Sequence, residues 1–369
     1  MTLRLEDIRW EGLFPPQSGS SDLTEFAQLH AGGSVLVTGA GGSIGAALSR
    51  AILSLQPRTL VLLDSSEQNL YYIHRELSSA VSGATVAPVL GSVADERCVR
   101  DVFARLQPRI VYHAAALKHV PLGEMNPFAV VENNVFGTAN VANIAGEHNT
   151  DKFIMISTDK SVNPHSIMGA SKRLAEVMLL GTLGTALRTT SIRLGNVLGS
   201  EGSVVPLFLE QIERRGPVTV TDPNVERYFL TMDETVRRIL RAAAKIPDEP
   251  AVAVPVVGEP TRITDLARYL IQQAGAAEVQ VTFSGLRPGD KLKEEFVSDC
   301  EFALPDAGDG LRWVRSPGLS PDSIATGLAE LSAAMSDRNL AQLLATLTRL
   351  VPEYQPSAYL CEQVGTVAH

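Results

Sequence analysis

The stretch "VLVTGAGGSIG", residues 35–45, decides the fold because it joins a short apolar run to a glycine-rich turn and the start of a helix. The apolar run predicts a buried strand. Glycines in the turn let the backbone approach a pyrophosphate at the N-terminus of the helix, where free N–H groups favour anions. The stretch therefore predicts a dinucleotide-binding βα unit. Its predicted cofactor-binding residues are Gly39, Gly42, Ser43, Ile44 and Gly45.

Short apolar runs continue at intervals of helical length as far as about residue 199. Valine, isoleucine and leucine fill these runs without polar alternation, which favours a parallel sheet buried on both faces. Strands that alternate with amphipathic stretches predict a doubly wound, Rossmann-like α/β fold. We expect an NAD(P)-binding domain over residues 32–199 that also contains the catalytic residues. The runs are "SVLVTG", "TLVLLD", "TVAPVLG", "RIVYHAA", "KFIMIST" and "TTSIRLGNVLG".

The pattern loosens beyond this point, and residues 200–369 predict a smaller mixed α/β lobe that binds the substrate and ends in helices. We predict helices over "VVPLFLEQIERR", "DETVRRILRAAAK" and "ITDLARYLIQQAG", and two packed helices between Pro321 and Leu350. The predicted strands of this half are "VTVT", "RYFLTM", "AVAVPVVG" and "VQVTFSG". Residues 1–31, which include "PPQSGSSD", are predicted to lead into the first domain.

The composition is that of a soluble globular protein, with 369 residues of which 45% are hydrophobic and 20% charged. A net charge of −9 disfavours a nucleic acid or an anionic membrane as a partner. The three cysteines are far apart, and they predict neither a disulfide framework nor a metal site. We recognise no signal peptide and no apolar span of about 20 residues. We therefore expect a cytoplasmic protein with no direct membrane insertion.

An acidic residue closes the second predicted strand in the position where an acid can accept hydrogen bonds from an adenosine ribose. Asp64 lies nineteen residues after Gly45 and favours NAD over NADP, because a carboxylate would repel the 2′-phosphate. The neighbouring serines leave NADP open as the alternative. Small residues in "HAAALKHVP", residues 113–121, suit a backbone that passes close to a dinucleotide. The cofactor-binding residues predicted here are Asp64, Ser65, Ala114 and Ala115.

The stretch "STDKSVNPHSIMGASK", residues 157–172, follows the fifth predicted strand, at the edge of an open sheet where ligands bind. Met168 and Lys172 are four residues apart on the next helix and share one of its faces. Short-chain dehydrogenase enzymes usually have a tyrosine in place of this methionine, which cannot exchange a proton. Either the site is inactive or other residues transfer the protons; a capping aspartate with two solvated lysines is the structural alternative. The candidate catalytic residues are Thr158, Asp159, Lys160, Met168 and Lys172.

Several stretches together resemble one family, the extended short-chain dehydrogenase/reductase enzymes of the CapD-like polysaccharide-biosynthesis group, which are UDP-N-acetylglucosamine 4,6-dehydratases. The resemblance runs from about residue 34 to residue 296. Many relatives are membrane-anchored through an N-terminal domain, so this chain looks like a short, soluble form. The matching stretches are "VLVTGAGGSIG", "HAAALKHVPLGEMNP", "ENNVFGTANVA", "KFIMISTDKSVNPHSIMGASKRLAE", "IRLGNVLGSEGSVVPLFLEQI", "GPVTVTDPNVERYFLT" and "GLRPGDKLKEE".

The resemblance implies oxidation of the sugar at C4, loss of water across C5 and C6, and reduction at C6, with NAD(P) regenerated. By this resemblance Asp159 is the acid at O6 and Lys160 the base at C5. By the same resemblance, Lys172 binds the nicotinamide ribose and, with Thr158, takes the proton of the C4 hydroxyl. An amine can act as a base in this way only if its pKa falls toward neutrality. Met168 packs, and it favours the product that retains the C5 configuration, UDP-2-acetamido-2,6-dideoxy-α-D-xylo-hexos-4-ulose.

The resemblance also implies a site for the UDP part of the substrate, a UDP-N-acetylhexosamine. Helix N-terminal amides and two arginines would bind the diphosphate, and "TVT", residues 219–221, would lie along the uridine. The implied substrate-binding residues are Lys118, Asn196, Ser203, Pro206, Thr219, Thr221, Arg227 and Arg287. Two positions depart from the family. Ser92, a predicted adenine contact, stands where relatives usually have Asp, and Leu117 stands where they usually have Tyr.

Three other functions stay open on the sequence alone. A C5-inverting dehydratase stays open because relatives that invert C5 often have Tyr in place of Met168 but some carry Met. A UDP-sugar 4-epimerase would share the fold, the cofactor and the UDP site. An epimerase needs no elimination pair, so Asp159 and Lys160 argue against it. A non-catalytic NAD(P)-binding scaffold is the third alternative. The family also implies a homodimer, with the helices of residues 130–146 and 164–180 in contact with the partner.

Overall fold

The computed structural model describes five ranges of the chain, which are residues 3–14, 22–80, 83–181, 187–304 and 310–367. Most of the predicted "PPQSGSSD" lead-in therefore lies outside the described residues. Within them, no helix combines the length and the apolar character that crossing a membrane requires.

The secondary structure follows the predicted alternation of strands and helices. The strands are β1 (Ser34–Thr38), β2 (Thr59–Asp64), β3 (Thr85–Leu90), β4 (Ile110–His113), β5 (Lys152–Thr158), β6 (Arg188–Leu194), β7 (Asn196–Val197), β8 (Val218–Val220), β9 (Glu226–Arg227), β10 (Phe229–Leu230), β11 (Val252–Pro255), β12 (Thr261–Arg262), β13 (Val281–Phe283), β14 (Phe302–Ala303) and β15 (Leu311–Arg315). The helices are α1 (Ala27–His30), α2 (Ser43–Ser54), α3 (Glu67–Ser78), α4 (Glu96–Leu106), α5 (Val120–Met125), α6 (Pro127–Val131), α7 (Gly137–Glu147), α8 (Ile167–Leu180), α9 (Val204–Glu213), α10 (Met232–Ala244), α11 (Ile263–Gln273), α12 (Pro321–Ser336), α13 (Leu340–Leu350) and α14 (Ala358–Val367).

One large sheet organises the fold, with the strand order β14-β15-β11-β6-β5-β4-β1-β2-β3. Strands β1 to β6 and β11 run parallel, and β15 and β14 are antiparallel at one edge. The predicted doubly wound parallel sheet is confirmed. Since the chain reverses its order between β1 and β4, the ends of these strands open the crevice in which such sheets bind ligands.

The second half of the chain divides between two places. Strands β11, β14 and β15 extend the large sheet, which therefore takes strands from both sides of residue 199. The short pairs β7–β10, β9–β12 and β8–β13 lie beside α9 and α11, whose apolar faces form a separate core. Residues 3–14 contribute Ile8 to that second core. The strand at "LRWVR" and helix α14 were not predicted.

Helices α12 and α13 pair as predicted, and with α14 they pack against α6 and α8. Leu343 and Leu347 of α13 belong to the same buried cluster as Leu174 and Met178 of α8. All 14 residues of α8 are buried within the single chain. The prediction that residues 164–180 contact a partner subunit is therefore wrong for the chain in this state, because its own C-terminal helices cover that face.

Candidate active site

A cavity of about 650 Å³ opens at the carboxyl ends of β1, β4, β5 and β6. It brings together side chains from both predicted ligand-binding turns and from the segment after β7, which are far apart in the sequence. The predicted site residues that line it are Gly39, Gly42, Ser43, Ile44, Gly45, Ala114, Lys118, Thr158, Lys160, Met168, Lys172, Asn196 and Ser203. The cofactor, catalytic and substrate predictions thus meet in one cavity.

Two glycines determine the shape of the glycine-rich turn after β1, because a side chain at either position would clash with backbone atoms. Gly39 has a φ of +63°, and a Cβ there would lie 2.8 Å from the backbone of Ala115. A Cβ on Gly45 would lie 2.0 Å from the carbonyl oxygen of Gly39. Close contact between the turn, the β4–α5 loop and the start of α2 therefore requires glycine at both positions.

Asp64, at the end of β2, stabilises this turn through a hydrogen bond. Its Oδ2 accepts a hydrogen bond from the Gly41 amide at 2.8 Å, and its Oδ1 accepts one from the Ser66 amide at 2.8 Å. The residue is 8% exposed. Each carboxylate oxygen has a second lone pair, so the same acid can hold the turn and still accept from a ribose.

Lys172, on the second turn of α8, presents a buried amine to the cavity. Its Nζ has no hydrogen-bond partner among the residues that the structure describes. Burial lowers the pKa of Lys172 to about 8, although the Glu176 carboxylate opposes the shift. Neighbouring His113 is fully buried, and burial together with the Lys172 charge lowers its pKa to about 3. A buried amine with a lowered pKa and no hydrogen-bond partner among the described residues can form a hydrogen bond with the hydroxyl group of a sugar or ribose.

The turn after β5 places Thr158, Asp159 and Lys160 against each other. The Thr158 hydroxyl donates to Asp159 Oδ1 at 3.0 Å, and the Lys160 ammonium donates to the same oxygen at 2.8 Å. Asp159 is fully buried, and its Oδ2 has no hydrogen-bond partner. Thr158 and Lys160 line the cavity, whereas Asp159 lies behind them. The structure thus forms an acid–amine pair with the amine in front.

The two lysines differ in the direction of their pKa shifts. Burial lowers the pKa of Lys160, but the carboxylates of Asp159 and Glu294 outweigh burial, and the net shift is upward. The raised pKa of Lys160 favours its protonated form beside Asp159. The pKa of Lys172 is shifted in the direction that a base needs, whereas the shift of Lys160 runs against the base role predicted for it.

Glu294 is a neighbour of the pair that the sequence interpretation did not single out. Its Oε1 lies 3.8 Å from Lys160 Nζ and 3.6 Å from a terminal nitrogen of Arg227, and its Oε2 lies 3.3 Å from Lys291 Nζ. The residue is 5% exposed. In "GLRPGDKLKEE" its charge alternates with lysines as on a solvated surface, so nothing local marked it as buried.

A buried network of charged side chains contacts the Thr158–Ser161 turn after β5. Glu176 of α8 accepts from the Ser157 hydroxyl at 2.5 Å, and Ser161 Oγ lies 2.9 Å from the same carboxylate oxygen. Arg193 of β6, fully buried, pairs with Glu176 at 2.8 Å and with Glu301 at 2.7 Å. The pairing keeps the pKa of Glu301 at about 2 in spite of its burial. Charges fixed in the interior therefore hold both ends of the turn.

The segment after β7 closes the rim of the cavity above the glycine-rich turn. The Lys118 ammonium donates to the carbonyl oxygen of Glu201 at 2.7 Å, and the Glu201 amide donates to Ser43 Oγ at 2.9 Å. Ser203, the residue before α9, has a buried Oγ without a hydrogen-bond partner. Lys118, Ser43 and Ser203 thus lie around the same opening, as expected of groups that bind a phosphorylated ligand.

The other predicted site residues lie outside this cavity wall. Arg227 is buried, and its terminal nitrogens donate to the carbonyl oxygens of Glu226, Lys291 and Leu292. Arg287 is exposed and pairs with Asp290 at 2.8 Å. Roles for these residues in ligand binding stay predictions. The residues outside the wall are Asp64, Ser65, Ser92, Ala115, Asp159, Pro206, Thr219, Thr221, Arg227 and Arg287.

Metal chemistry has no visible site in the part of the chain that the structure describes. No group of three or more His, Cys, Asp or Glu side chains there is arranged to hold a metal ion. The three cysteines are unpaired in the described residues.

Comparison with known proteins links this cavity to a family. The family described as polysaccharide biosynthesis protein matches residues 35–308, which include both turns and Glu294. The capsular polysaccharide biosynthesis protein CapD of Staphylococcus aureus is 45% identical over 272 residues, covering 72% of this chain and 45% of that protein. This chain therefore spans less than half the length of that relative.

Two further proteins resemble the chain over most of their own length. The UDP-N-acetylglucosamine 4,6-dehydratase (inverting) of Campylobacter jejuni is 30% identical over 274 residues, covering 72% of this chain and 77% of the relative. The solved structure of Pen from Bacillus thuringiensis matches with a TM-score of 0.71 at 27% identity, covering 78% of this chain and 89% of Pen. The sheet, the two turns and these matches agree: the chain belongs to the polysaccharide biosynthesis protein family of the extended short-chain dehydrogenases/reductases.

Proposed function

We propose that the protein is an NAD(P)-dependent UDP-N-acetylglucosamine 4,6-dehydratase that retains the C5 configuration. The net reaction converts the substrate into one water molecule and a UDP-4-keto-6-deoxy-N-acetylhexosamine. The observation that supports it most is the hydrogen bond from Lys160, which lines the same cavity as Lys172, to the buried Asp159 behind it. Elimination of water needs a base and an acid beyond the group that handles the C4 hydroxyl.

The cavity fits a dinucleotide on grounds independent of the resemblance. The N-terminus of α2 and the glycine-rich turn offer backbone N–H groups to a pyrophosphate. The unpartnered Nζ of Lys172 suits a ribose hydroxyl, and the carboxylate of Asp64 favours NAD over the 2′-phosphate of NADP. When bound, NAD(P) supplies the oxidation at C4 and the matching reduction at C6. NAD is the cofactor we propose, and NADP is the alternative.

Lys172 is the group that takes the proton of the C4 hydroxyl. Its pKa of about 8 leaves a useful fraction of neutral amine near pH 7. The absence of a protein partner for Nζ leaves its lone pair available to the substrate. The resulting ketone makes the C5 proton acidic, which prepares the elimination.

Asp159 and Lys160 act as one unit that holds a single proton. An acid at O6 and a base at C5 require this proton on Asp159, whereas the raised pKa of Lys160 favours the proton on the amine. Transfer along the 2.8 Å hydrogen bond interconverts the two forms without changing the proton count. Since Asp159 is buried, Thr158 relays its proton: the Thr158 hydroxyl, which donates to Asp159 Oδ1 and lines the cavity, gives its own proton to the departing C6 hydroxyl and takes the Asp159 proton in its place.

Met168 supports retention at C5. It lines the cavity while only 3% exposed, and a thioether cannot return a proton to the opposite face of the sugar. The Campylobacter jejuni relative is named as an inverting enzyme, so the C5 configuration is a separate measurement from the dehydration itself.

One incubation tests the proposal. The full chain with UDP-N-acetylglucosamine and NAD is expected to produce a C6 methyl doublet in proton NMR, and the coupling constants of the product report the C5 configuration. Formation of UDP-N-acetylgalactosamine without a methyl signal would replace the proposal with a 4-epimerase. No turnover with NAD or NADP would favour a binding scaffold.

Variants of the pair sharpen this test. Asp159→Asn and Lys160→Ala are each expected to lower the rate of methyl formation by about 10²–10⁴-fold, the usual contribution of a proton-transfer group. Lys293→Ala, which removes an exposed lysine from the nearby segment, is the matched control and is expected to keep the wild-type rate. Full turnover in either pair variant would show that other residues catalyse the elimination.

A further inference from the structure

Glu294 is a second carboxylate close to Lys160, in addition to Asp159. It belongs to an irregular segment between β13 and β14 that carries no predicted site residue beyond Arg287. Its carboxylate is almost completely buried, and it faces Lys160 across 3.8 Å. Lys160 therefore lies between two carboxylates that come from segments more than 130 residues apart in the chain.

The surroundings of Glu294 contain an excess of positive charge. The charged groups that face it are Lys160, Arg227 of β9 and Lys291 of its own segment, with Asp159 as the other carboxylate. The net shift of the Glu294 pKa is upward, because burial and the Asp159 carboxylate raise it by more than Lys160, Arg227 and Lys291 lower it. If Glu294 loses its charge, Asp159 is the one carboxylate that remains among the described groups facing the three cations.

The segment is held in place by contacts on both sides of Glu294. Arg227 donates to the carbonyl oxygen of Lys291 at 2.7 Å, and Arg193 donates to the carbonyl oxygen of Phe296 at 2.7 Å. Lys291 Nζ donates to the carbonyl oxygen of Val162, just after the Thr158–Ser161 turn, at 3.0 Å. The position of the Glu294 carboxylate is thus fixed relative to the catalytic pair.

We infer that Glu294 is a positioning residue that keeps the single proton within the Asp159–Lys160 pair. Its negative charge stabilises the Lys160 ammonium and anchors it beside the cavity, so the pair enters each catalytic cycle with one proton. The inference rests on the proposed dehydration, because only an elimination needs this pair to work as acid and base.

The expected signature is a pH profile. The pair is active with one proton and inactive once that proton is lost at high pH. Neutralising Glu294 removes a carboxylate near Lys160, so the alkaline limb of kcat/KM in Glu294→Gln is expected to move to lower pH by about one unit or more. Glu294→Asp keeps the charge and is expected to keep the wild-type limb. Glu295→Gln changes the exposed neighbour and is expected to leave the profile unchanged.

A direct titration separates this inference from the proposed function. Lys160 reacts with acetic anhydride only as the neutral amine, and its side chain is 23% exposed. Mass spectrometry of the labelled peptide gives the pH of half-maximal labelling without any substrate. We expect this pH to fall by about one unit or more in Glu294→Gln relative to wild type, with exposed Lys293 as the unshifted internal reference.

The outcomes distinguish three cases. A wild type that makes no methyl product contradicts the proposed dehydratase, while the labelling still decides the role of Glu294. An active wild type with unchanged labelling and an unchanged alkaline limb in Glu294→Gln overturns the positioning role alone. Equal shifts in Glu295→Gln would also overturn it. Glu294→Met, which avoids an unpaired buried amide, gives the same comparison if the glutamine variant does not fold.

Discussion

Two turns at the carboxyl ends of neighbouring parts of the sheet form the site, and they are stabilised in different ways. The glycine-rich turn after β1 is shaped by contacts among its own backbone atoms and those of the β4–α5 loop. The Thr158–Ser161 turn after β5 rests on charged side chains from α8, β6 and the segment before β14. The glycine-rich turn requires positions without a side chain, and the Thr158–Ser161 turn requires buried charged side chains.

The difference explains why the two turns respond to different changes. A backbone turn tolerates no added atoms, because close-packed neighbours cannot move aside. A turn on a buried ionic network tolerates no lost charge, because the remaining partners stay buried and unpaired. The first kind of turn suits a cofactor bound mainly through N–H groups, and the second suits residues whose proton affinity must be set.

The largest expected effect comes from breaking the network under the second turn. Arg193→Met removes one of two buried arginines that pair with both Glu176 and Glu301, so that Arg173 alone is left between the two buried carboxylates in the described network. We expect the free energy of unfolding to fall by about 3–5 kcal/mol, measured by urea denaturation. Arg50→Met breaks the Arg50–Glu76 pair, half exposed at the surface, and is expected to cost about 1 kcal/mol or less. Equal losses of unfolding free energy in both variants would show that the cost of breaking an ion pair does not depend on its burial.

Crowding the first turn is expected to have an intermediate effect. Gly45→Ala places a Cβ against the Gly39 carbonyl oxygen, so the turn must shift. We expect a cost of about 1–3 kcal/mol in unfolding free energy and a weaker affinity for NAD, measured by calorimetric titration. Gly146→Ala, in α7, meets no atom within 4 Å and is expected to stabilise by about 0.5–1 kcal/mol. A Gly45→Ala protein with wild-type stability and affinity would contradict the steric account of this turn.

The smallest effect is a dependence on pH that belongs to the catalytic side of the cavity. Lys172 must be neutral to accept a proton, and its pKa is lowered to about 8. Below that pH the neutral fraction rises about tenfold per unit, so kcat/KM is expected to rise with pH and level off above about 8. Lys172→Arg stays charged throughout and is expected to lack this limb. A wild-type limb at the ordinary lysine pKa would mean that burial does not tune this amine.

Much of the first turn could be predicted from the sequence. Glycines at fixed spacing between an apolar run and a helix have few structural interpretations, and the structure places Gly39, Gly42 and Gly45 on the cavity wall. Thr158 and Lys160 were predicted from their place at the carboxyl end of a strand in a parallel sheet. Arg227 and Arg287 contact carbonyl oxygens and Asp290, and their roles in ligand binding stay predictions.

The amino-acid sequence by itself determined the order of strands and helices, the parallel sheet and the edge at which the two turns meet. These follow from local periodicity and from backbone preferences, which neighbouring residues specify. Only the tertiary structure decided that Glu294 faces Lys160, that Arg193 and Glu176 lie under the catalytic turn, and that α12–α14 cover α8. Proton affinity depends on burial and on charges brought close from distant segments, so the opposite pKa shifts of Lys160 and Lys172 appear only once the chain is folded.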